Sequence, residues 1–226
     1  MRFCTLTSKS ERIETFEAIL PELLSLRFDS LPGLESQLKM APLNREKEIR
    51  SLGVGKNPVL SSVLLLCYPL RNGKPGILLI QRQEYAGHHS GQISFPGGRV
   101  ENIDQSPDKA ALRETFEETG VDPADIELMG MITPLYIPPS NHMVNPYVGI
   151  SRKHPCFKAD PEEVASILEI ELCCFFDPAN LHTKPIKLSN GGIVHTPCYI
   201  IDGNVVWGAT AMILAEFIEL LRKGNS

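Results

Sequence analysis

The sequence predicts an α+β fold, an α/β/α sandwich around a mixed sheet preceded by accessory helices. Strand-length apolar runs at 63–67, 77–80, 92–95, 126–133, 143–150 and 194–201 predict the sheet. Helical patterns stand among them without a regular βαβ repeat, which favours a mixed sheet over a parallel doubly wound one. Residues 1–50 carry helical periodicity alone, so they read as a helical extension and residues 51–226 as the main domain.

Each element has its local reason. Between Glu11 and Leu26, Ile13, Phe16, Ile19, Leu20, Leu23 and Leu24 fall near helical spacing, with Pro21 placed to kink the helix. Pro32-Gly33 makes a loop before a second short helix near Leu34–Met40. Neither segment holds a catalytic constellation, so both read as packing elements or contacts in a homodimer. Val63-Leu-Leu-Leu-Cys67 is unbroken and apolar, as in a strand buried on both faces. Arg71-Asn-Gly-Lys74 reads as the hairpin turn into Ile77–Ile80.

The following helix is well punctuated. Ser106 caps it, Pro107 suits its first position, Asp108 meets its positive first turn, and Gly120 stands just beyond its end. Leu112 and Phe116 are expected to bury against the sheet, with Ala110 and Ala111 toward the opposite, acidic side. Pro161 places Glu163 in the first turn of a further helix. The last helix runs from about Ala209 to Arg222, and Trp207 before it reads as a core residue.

A net charge of −5 argues against general nucleic-acid binding, which needs a basic face. An anionic ligand would have to be drawn by local cations. The six cysteines form no CxxC pair, and Cys67, Cys173 and Cys174 lie in apolar runs, as expected of free thiols in a reducing cytoplasm. The N-terminal Met-Arg-Phe-Cys-Thr lacks the apolar core of a signal peptide, and no run approaches membrane-spanning length.

The chemistry concentrates in the capped helix. Glu114, Glu117 and Glu118 stand at i, i+3 and i+4 and share one face. No lysine interleaves them, and three acids so close repel one another unless a cation sits among them. Arg113 lies four residues before Glu117, spaced to fix its carboxylate. Upstream, Pro96-Gly97-Gly98 offers backbone N–H groups that a phosphate can approach without side-chain clashes.

Gly98, five residues, Asp104, and then Arg113-Glu-Thr-Phe-Glu-Glu-Thr-Gly120-Val121 resembles the Nudix box. Asp104 stands where the box usually has Glu, and the gap from it to Arg113 is eight residues, one longer than usual. The resemblance implies a Nudix fold and hydrolysis of a nucleoside diphosphate linked to another moiety. It also implies Mg²⁺ or Mn²⁺ on the glutamates, which would neutralise the pyrophosphate and activate water.

Leu78-Leu-Ile-Gln-Arg82 and Gly91-Gln-Ile-Ser-Phe-Pro-Gly-Gly98 resemble the segment that coenzyme A pyrophosphatases carry before the box. Ser140–Pro146, Glu163-Val164 and Trp207–Leu214 are similar to the same subgroup, so the likeness spans roughly residues 58–222. Three positions depart from it. Ile80 replaces a usual Thr, Gln83 a Ser or Ala, and Gly87 an Arg suited to the 3′-phosphate of coenzyme A. His88 and His89 follow; they either replace that arginine or are exposed loop residues.

The resemblance implies Glu114, Glu117 and Glu118 as metal ligands, with Gly98 as a backbone ligand or a tight turn. Arg113 would orient Glu117. The general base would be a box glutamate such as Glu117, or Glu163 on a later loop. Arg82 meets a phosphate or pairs with a box acid; Gly97, Gly98, His88 and His89 complete the expected nucleotide site. Glu101 and Asp104 either touch the metal or cap their loop.

Overall fold

The computed structural model describes residues 14–42, 54–83, 91–187 and 191–223. Helix α1 (Phe16–Leu24) is capped by Thr15, whose hydroxyl accepts from the Ala18 N–H at 3.2 Å, and Pro21 lies inside it. The expected start at Glu11 lies outside the described residues. Helix α2 (Leu34–Leu38) is a single short turn after Gly33.

The sheet begins with β1 (Val59–Pro69) and β2 (Pro75–Arg82), then β3 (Ile93–Ser94) and β4 (Gly97–Arg99). Helix α3 (Pro107–Thr119) follows, then β5 (Glu127–Met131), β6 (Leu135–Ile137), β7 (His142–Ile150) and β8 (Val164–Glu171). A second sheet holds β9 (Leu181–Lys187), β10 (Ile193–Ile201) and β11 (Asn204–Trp207), and α4 (Gly208–Lys223) closes the fold. The expected strand over 126–133 is replaced by the shorter β5 and the separate β6. Strand β8 occupies the place where a helix was expected after Pro161.

The sheet is mixed. β1 runs parallel to β7 from Val59↔His142 to Cys67↔Ile150, and the other pairings are antiparallel. The β1–β2 hairpin stays paired only from Pro69↔Pro75 to Cys67↔Ile77. Beyond that the strands diverge. β4 pairs with the first half of β1, and β3 with the end of β2, so residues 93–99 wedge between them.

Both faces of this sheet are covered, which is why β1 reads as an unbroken apolar run. Leu64, Leu66 and Tyr68 point to one side and pack with Leu78 against Ala111, Leu112 and Val121. Leu65 and Cys67 point to the other and share a core with Phe16, Ile19 and Leu23 of α1 and Phe217 and Leu221 of α4. The layering is therefore α/β/α. Among the described residues, no helix is long and apolar enough to cross a membrane.

The helical face is pinned by one buried acid. Glu216 on α4 is fully buried and accepts from the Gly33 N–H at 3.0 Å, Gln37 Nε2 at 2.8 Å, the Thr133 N–H at 3.3 Å and the Thr133 hydroxyl at 2.6 Å. Glu216→Ala would strand those buried donors and should lower the unfolding free energy by about 3 kcal/mol in urea titrations. Lys39→Ala, which removes only an exposed 3.4 Å contact to Glu219, should cost less than about 1 kcal/mol.

Candidate active site

Helix α3 lies against β1 and β4 through small residues. Ala110, Ala111, Thr115 and Thr119 are fully buried, and the two threonine hydroxyls donate to the Ala111 and Thr115 carbonyls of their own helix. Phe116 is 51% exposed, whereas Glu118 is 1% exposed. The expected orientation is thus corrected. Leu112 is buried as expected, but the alanines pack on the sheet and Phe116 points outward. A helix lined with Ala and Thr approaches the sheet more closely than one lined with Phe, and that brings the Glu118 carboxylate onto the strand. Gly120 ends the helix in the left-handed conformation (φ 75°), its N–H donating to the Phe116 carbonyl at 2.8 Å. Ser106 occupies the cap position without a side-chain cap bond.

The wedge strand β4 receives the acids. The Gly97 N–H donates to Glu118 Oε2 at 2.8 Å, and Arg82 Nη1 lies 3.3 Å from Glu118 Oε1. Gly97 has φ 149°, and a Cβ there would come within 2.2 Å of the Ser62 carbonyl oxygen and 2.6 Å of Val63 Cα. Gly98 has the complementary constraint: a Cβ would meet the Glu114 carboxylate at 2.4 Å. Glycine at both positions is what allows strand and helix to meet carboxylate to backbone.

Arg113 organises the other side. It pairs in a bidentate way with Asp104, Nε to Oδ1 at 2.6 Å and Nη2 to Oδ2 at 3.1 Å. It also reaches Glu114 at 3.0 Å, Glu117 at 2.7 Å and the Arg99 carbonyl at 3.2 Å. Asp104 in turn accepts from the Glu101 N–H at 2.7 Å in a reciprocal capping box. Of the two roles open to Glu101 and Asp104, capping the loop is the one this geometry displays. The Arg113 guanidinium holds the Asp104 carboxyl below the usual carboxylate range.

The cleft acids shift the opposite way. Burial pushes the Glu118 carboxyl up to about 8, against the lowering effect of the Gly97 N–H and Arg82. Burial also raises Glu114, and the negative charge of Glu163 contributes to both shifts. Glu163 belongs to the loop bonded to the last turn of α3, where the Asp160 N–H donates to the Glu118 carbonyl. It sits in an exposed turn leading into β8, not at a helix N-terminus.

A buried carboxylate beside a second one, with a third charge across from them, suits a divalent cation. Their all-oxygen donor set matches Mg²⁺ or Mn²⁺. Glu117 stands apart: its side chain is 52% exposed and is held by Arg113. Among the described residues, the one trio of such donor groups within 4.8 Å of one another is elsewhere, at Glu171, Cys173 and Cys174. There Lys74 Nζ, 2.9 Å from Glu171, already supplies the positive charge.

Trp207 ends β11 half-buried, opposite Cys198. His88 and His89 lie outside the described residues. Sequence reasoning missed Gln83, whose backbone N–H donates to the Glu163 carbonyl and whose amide donates to the Pro161 carbonyl, both at 2.9 Å. Nothing local marks it, because both partners are distant in sequence.

The sandwich and its acid-bearing helix, clamped on a two-glycine strand, define a hydrolase of the phosphate-anhydride class. A Nudix domain model matches residues 63–195. The chain is 33% identical over 148 residues to proteins named uncharacterized Nudix hydrolase NudL from Escherichia coli (strain K12) and Shigella boydii serotype 18, covering 65% of this chain and 76% of each relative. The solved Nudix hydrolase RenU from M. smegmatis superposes with a TM-score of 0.51 at 15% identity, covering 75% of this chain and 96% of that one. The chain belongs to the Nudix family, hydrolases of nucleoside diphosphate derivatives that generally use divalent metal ions.

Two outcomes test this geometry. Gly97→Ala would press Cβ into the immovable backbone of β1 and should sharply lower Tm. Gly98→Ala would meet only the movable Glu114 side chain, so it should keep Tm close to the parent's while reducing hydrolysis by about 10-fold or more.

The second concerns pH. The folded state holds a proton on Glu118 up to about 8, against a reference value of 4.5. The folded form then binds more protons between those values, so the contribution of Glu118 to stability is greatest at low pH and is lost as pH rises toward about 8. For protein stripped with a chelator, Tm should fall across that window from this contribution, and the contribution should vanish in Glu118→Gln. An unchanged Tm profile in the variant would contradict the assignment.

Proposed function

We propose that the chain is a Mg²⁺- or Mn²⁺-dependent pyrophosphohydrolase that cleaves the diphosphate of coenzyme A or its acyl derivatives. The products are 4′-phosphopantetheine and adenosine 3′,5′-bisphosphate. The observation that carries the substrate reading is the segment Leu78–Gly98, which resembles that of coenzyme A pyrophosphatases and supplies both Arg82 and Gly97 to Glu118.

The roles follow from charge and position. Glu114 and Glu118 are the principal metal ligands, Glu117 a further one, and Gly98 offers its backbone. The chemistry a divalent cation supplies there, when bound, is neutralisation of the phosphate oxygens and activation of water. Arg113 spreads positive charge over Glu114 and Glu117 and fixes their rotamers. Arg82 contributes positive charge to a phosphate as well as to Glu118, and Gly97 and Gly98 leave the strand bare of side chains where the phosphates approach. Glu163, exposed and facing the acids, takes the proton from water as it attacks phosphorus. One P–O–P linkage breaks, a P–O bond to the water oxygen forms, and the departing phosphate carries the electron pair. His88 and His89 are proposed to meet the 3′-phosphate.

The test is incubation of the purified protein with coenzyme A and Mg²⁺ or Mn²⁺, with separation of the products. The two named products should appear, and Glu163→Gln should lower kcat by about 100-fold with KM little changed. Turnover of ADP-ribose or NADH without coenzyme A cleavage would move the specificity to another nucleoside diphosphate. Nucleotide binding without hydrolysis of any of these substrates would point to a Nudix-fold binding module.

A further inference from the structure

We infer that Gln83 is a positioning residue that holds the Glu163 loop over the acid cleft. The inference rests on the reading of Glu163 as the base and adds what keeps it in place.

The second half of the loop between β7 and β8 is tied down at two places. First, the Lys158 N–H donates to the Thr119 carbonyl at 2.8 Å and the Asp160 N–H to the Glu118 carbonyl at 3.1 Å. Those carbonyls belong to the last turn of α3, so the helix that carries the acids also anchors the loop. Within the turn, Asp160 accepts from the Glu162 N–H at 2.9 Å through Oδ1, and from the Val164 N–H at 2.8 Å through its carbonyl. At its end, the loop is held by Gln83.

Gln83 does this twice. Its N–H donates to the Glu163 carbonyl, and its side-chain Nε2 donates to the Pro161 carbonyl. The β2–β8 register shifts between Gln81 and Arg82. Beyond this irregularity, Arg82 reaches Glu118 on α3, and the next residue reaches the loop that bears Glu163. The last residue of β2 and the one after it thus fix the two sources of carboxylate. The backbone bond survives any substitution but proline, so the Gln83 amide is the part of this clamp that Gln83→Ala removes. Glu163 itself is exposed, and without the amide its turn loses a hold close to the cleft. A displacement of about 1 Å at a catalytic group is enough to cost up to about 100-fold in rate.

The test combines hydrogen exchange with kinetics on the full chain. Amide exchange of peptides covering 158–165 reads the clamp without reference to activity. It should accelerate about 10-fold in Gln83→Ala, and return toward the parent rate in Gln83→Lys, which keeps a donor on a long side chain. With Mg²⁺ and whichever nucleoside diphosphate the parent hydrolyses, Gln83→Ala should lower kcat about 10-fold with KM within about 2-fold. In the Glu163→Gln background, Gln83→Ala should cause no further loss, because the group it positions is already gone. Unchanged exchange in Gln83→Ala overturns the clamp. Faster exchange with unchanged kcat, or an equal loss in the Glu163→Gln background, overturns positioning of Glu163. A fully active Glu163→Gln overturns both the base assignment and the catalytic role of Gln83, while failure on coenzyme A alone reports only on substrate.

Discussion

The meeting of α3 with β4 is the constraint on which the rest of the site depends. A carboxylate that is 1% exposed needs a donor, and the Gly97 N–H supplies it at 2.8 Å. That bond is possible only because two successive residues of the strand lack side chains. Gly97 gives way to β1 on one side, and Gly98 gives way to Glu114 on the other. The divergence of β1 and β2 opens the gap into which this strand fits. Sheet topology, glycine placement and acid geometry are therefore one arrangement seen at three scales.

Charge is divided across this arrangement unequally. Arg113 spends its guanidinium on Asp104, Glu114 and Glu117 and on the Arg99 carbonyl, which leaves Glu118 to Arg82 and the backbone. The result is a gradient from the turn before α3 to the last turn of the helix. Asp104 is held ionised by Arg113, while burial drives Glu118 toward its neutral form. Arg113 therefore joins the turn at Asp104 to two acids of the helix. Truncating it would disturb both at once.

Much of this was legible in the chain. The helix punctuation at Pro107 and Gly120 and the buried β1 run translated directly into structure. The burial face of α3 did not. Apolar periodicity marks the core by its largest residues, whereas this helix buries Ala, Thr and a glutamate and exposes Phe116. Close packing of the acid on the strand overrode the usual rule. Strand β8 was hidden because glutamates interrupt its apolar pattern at 169 and 171. Strand β9, Leu-His-Thr-Lys-Pro-Ile-Lys, is almost wholly exposed and carries a proline, so it offers no alternation to detect. The ties from Gln83 to Pro161 and Glu163 cross about 80 residues of chain, and such partnerships are invisible to local pattern.

The same long reach has a consequence for how the molecule is made. Helix α2 packs on α4, and Gly33 and Gln37 bond to Glu216. Gly33 and Gln37 thus find this partner about 180 residues further along the chain. A nascent chain leaving the ribosome holds α2 without the helix it packs on until residues 208–223 have emerged. The acid-bearing helix and its glycine strand, by contrast, lie within 23 residues of one another, from Gly97 to Thr119, and can assemble early. Completion of the final helix is then the event that converts a half-covered sheet into a sealed one, and a chain stopped short of it would present its apolar face to chaperones and proteases.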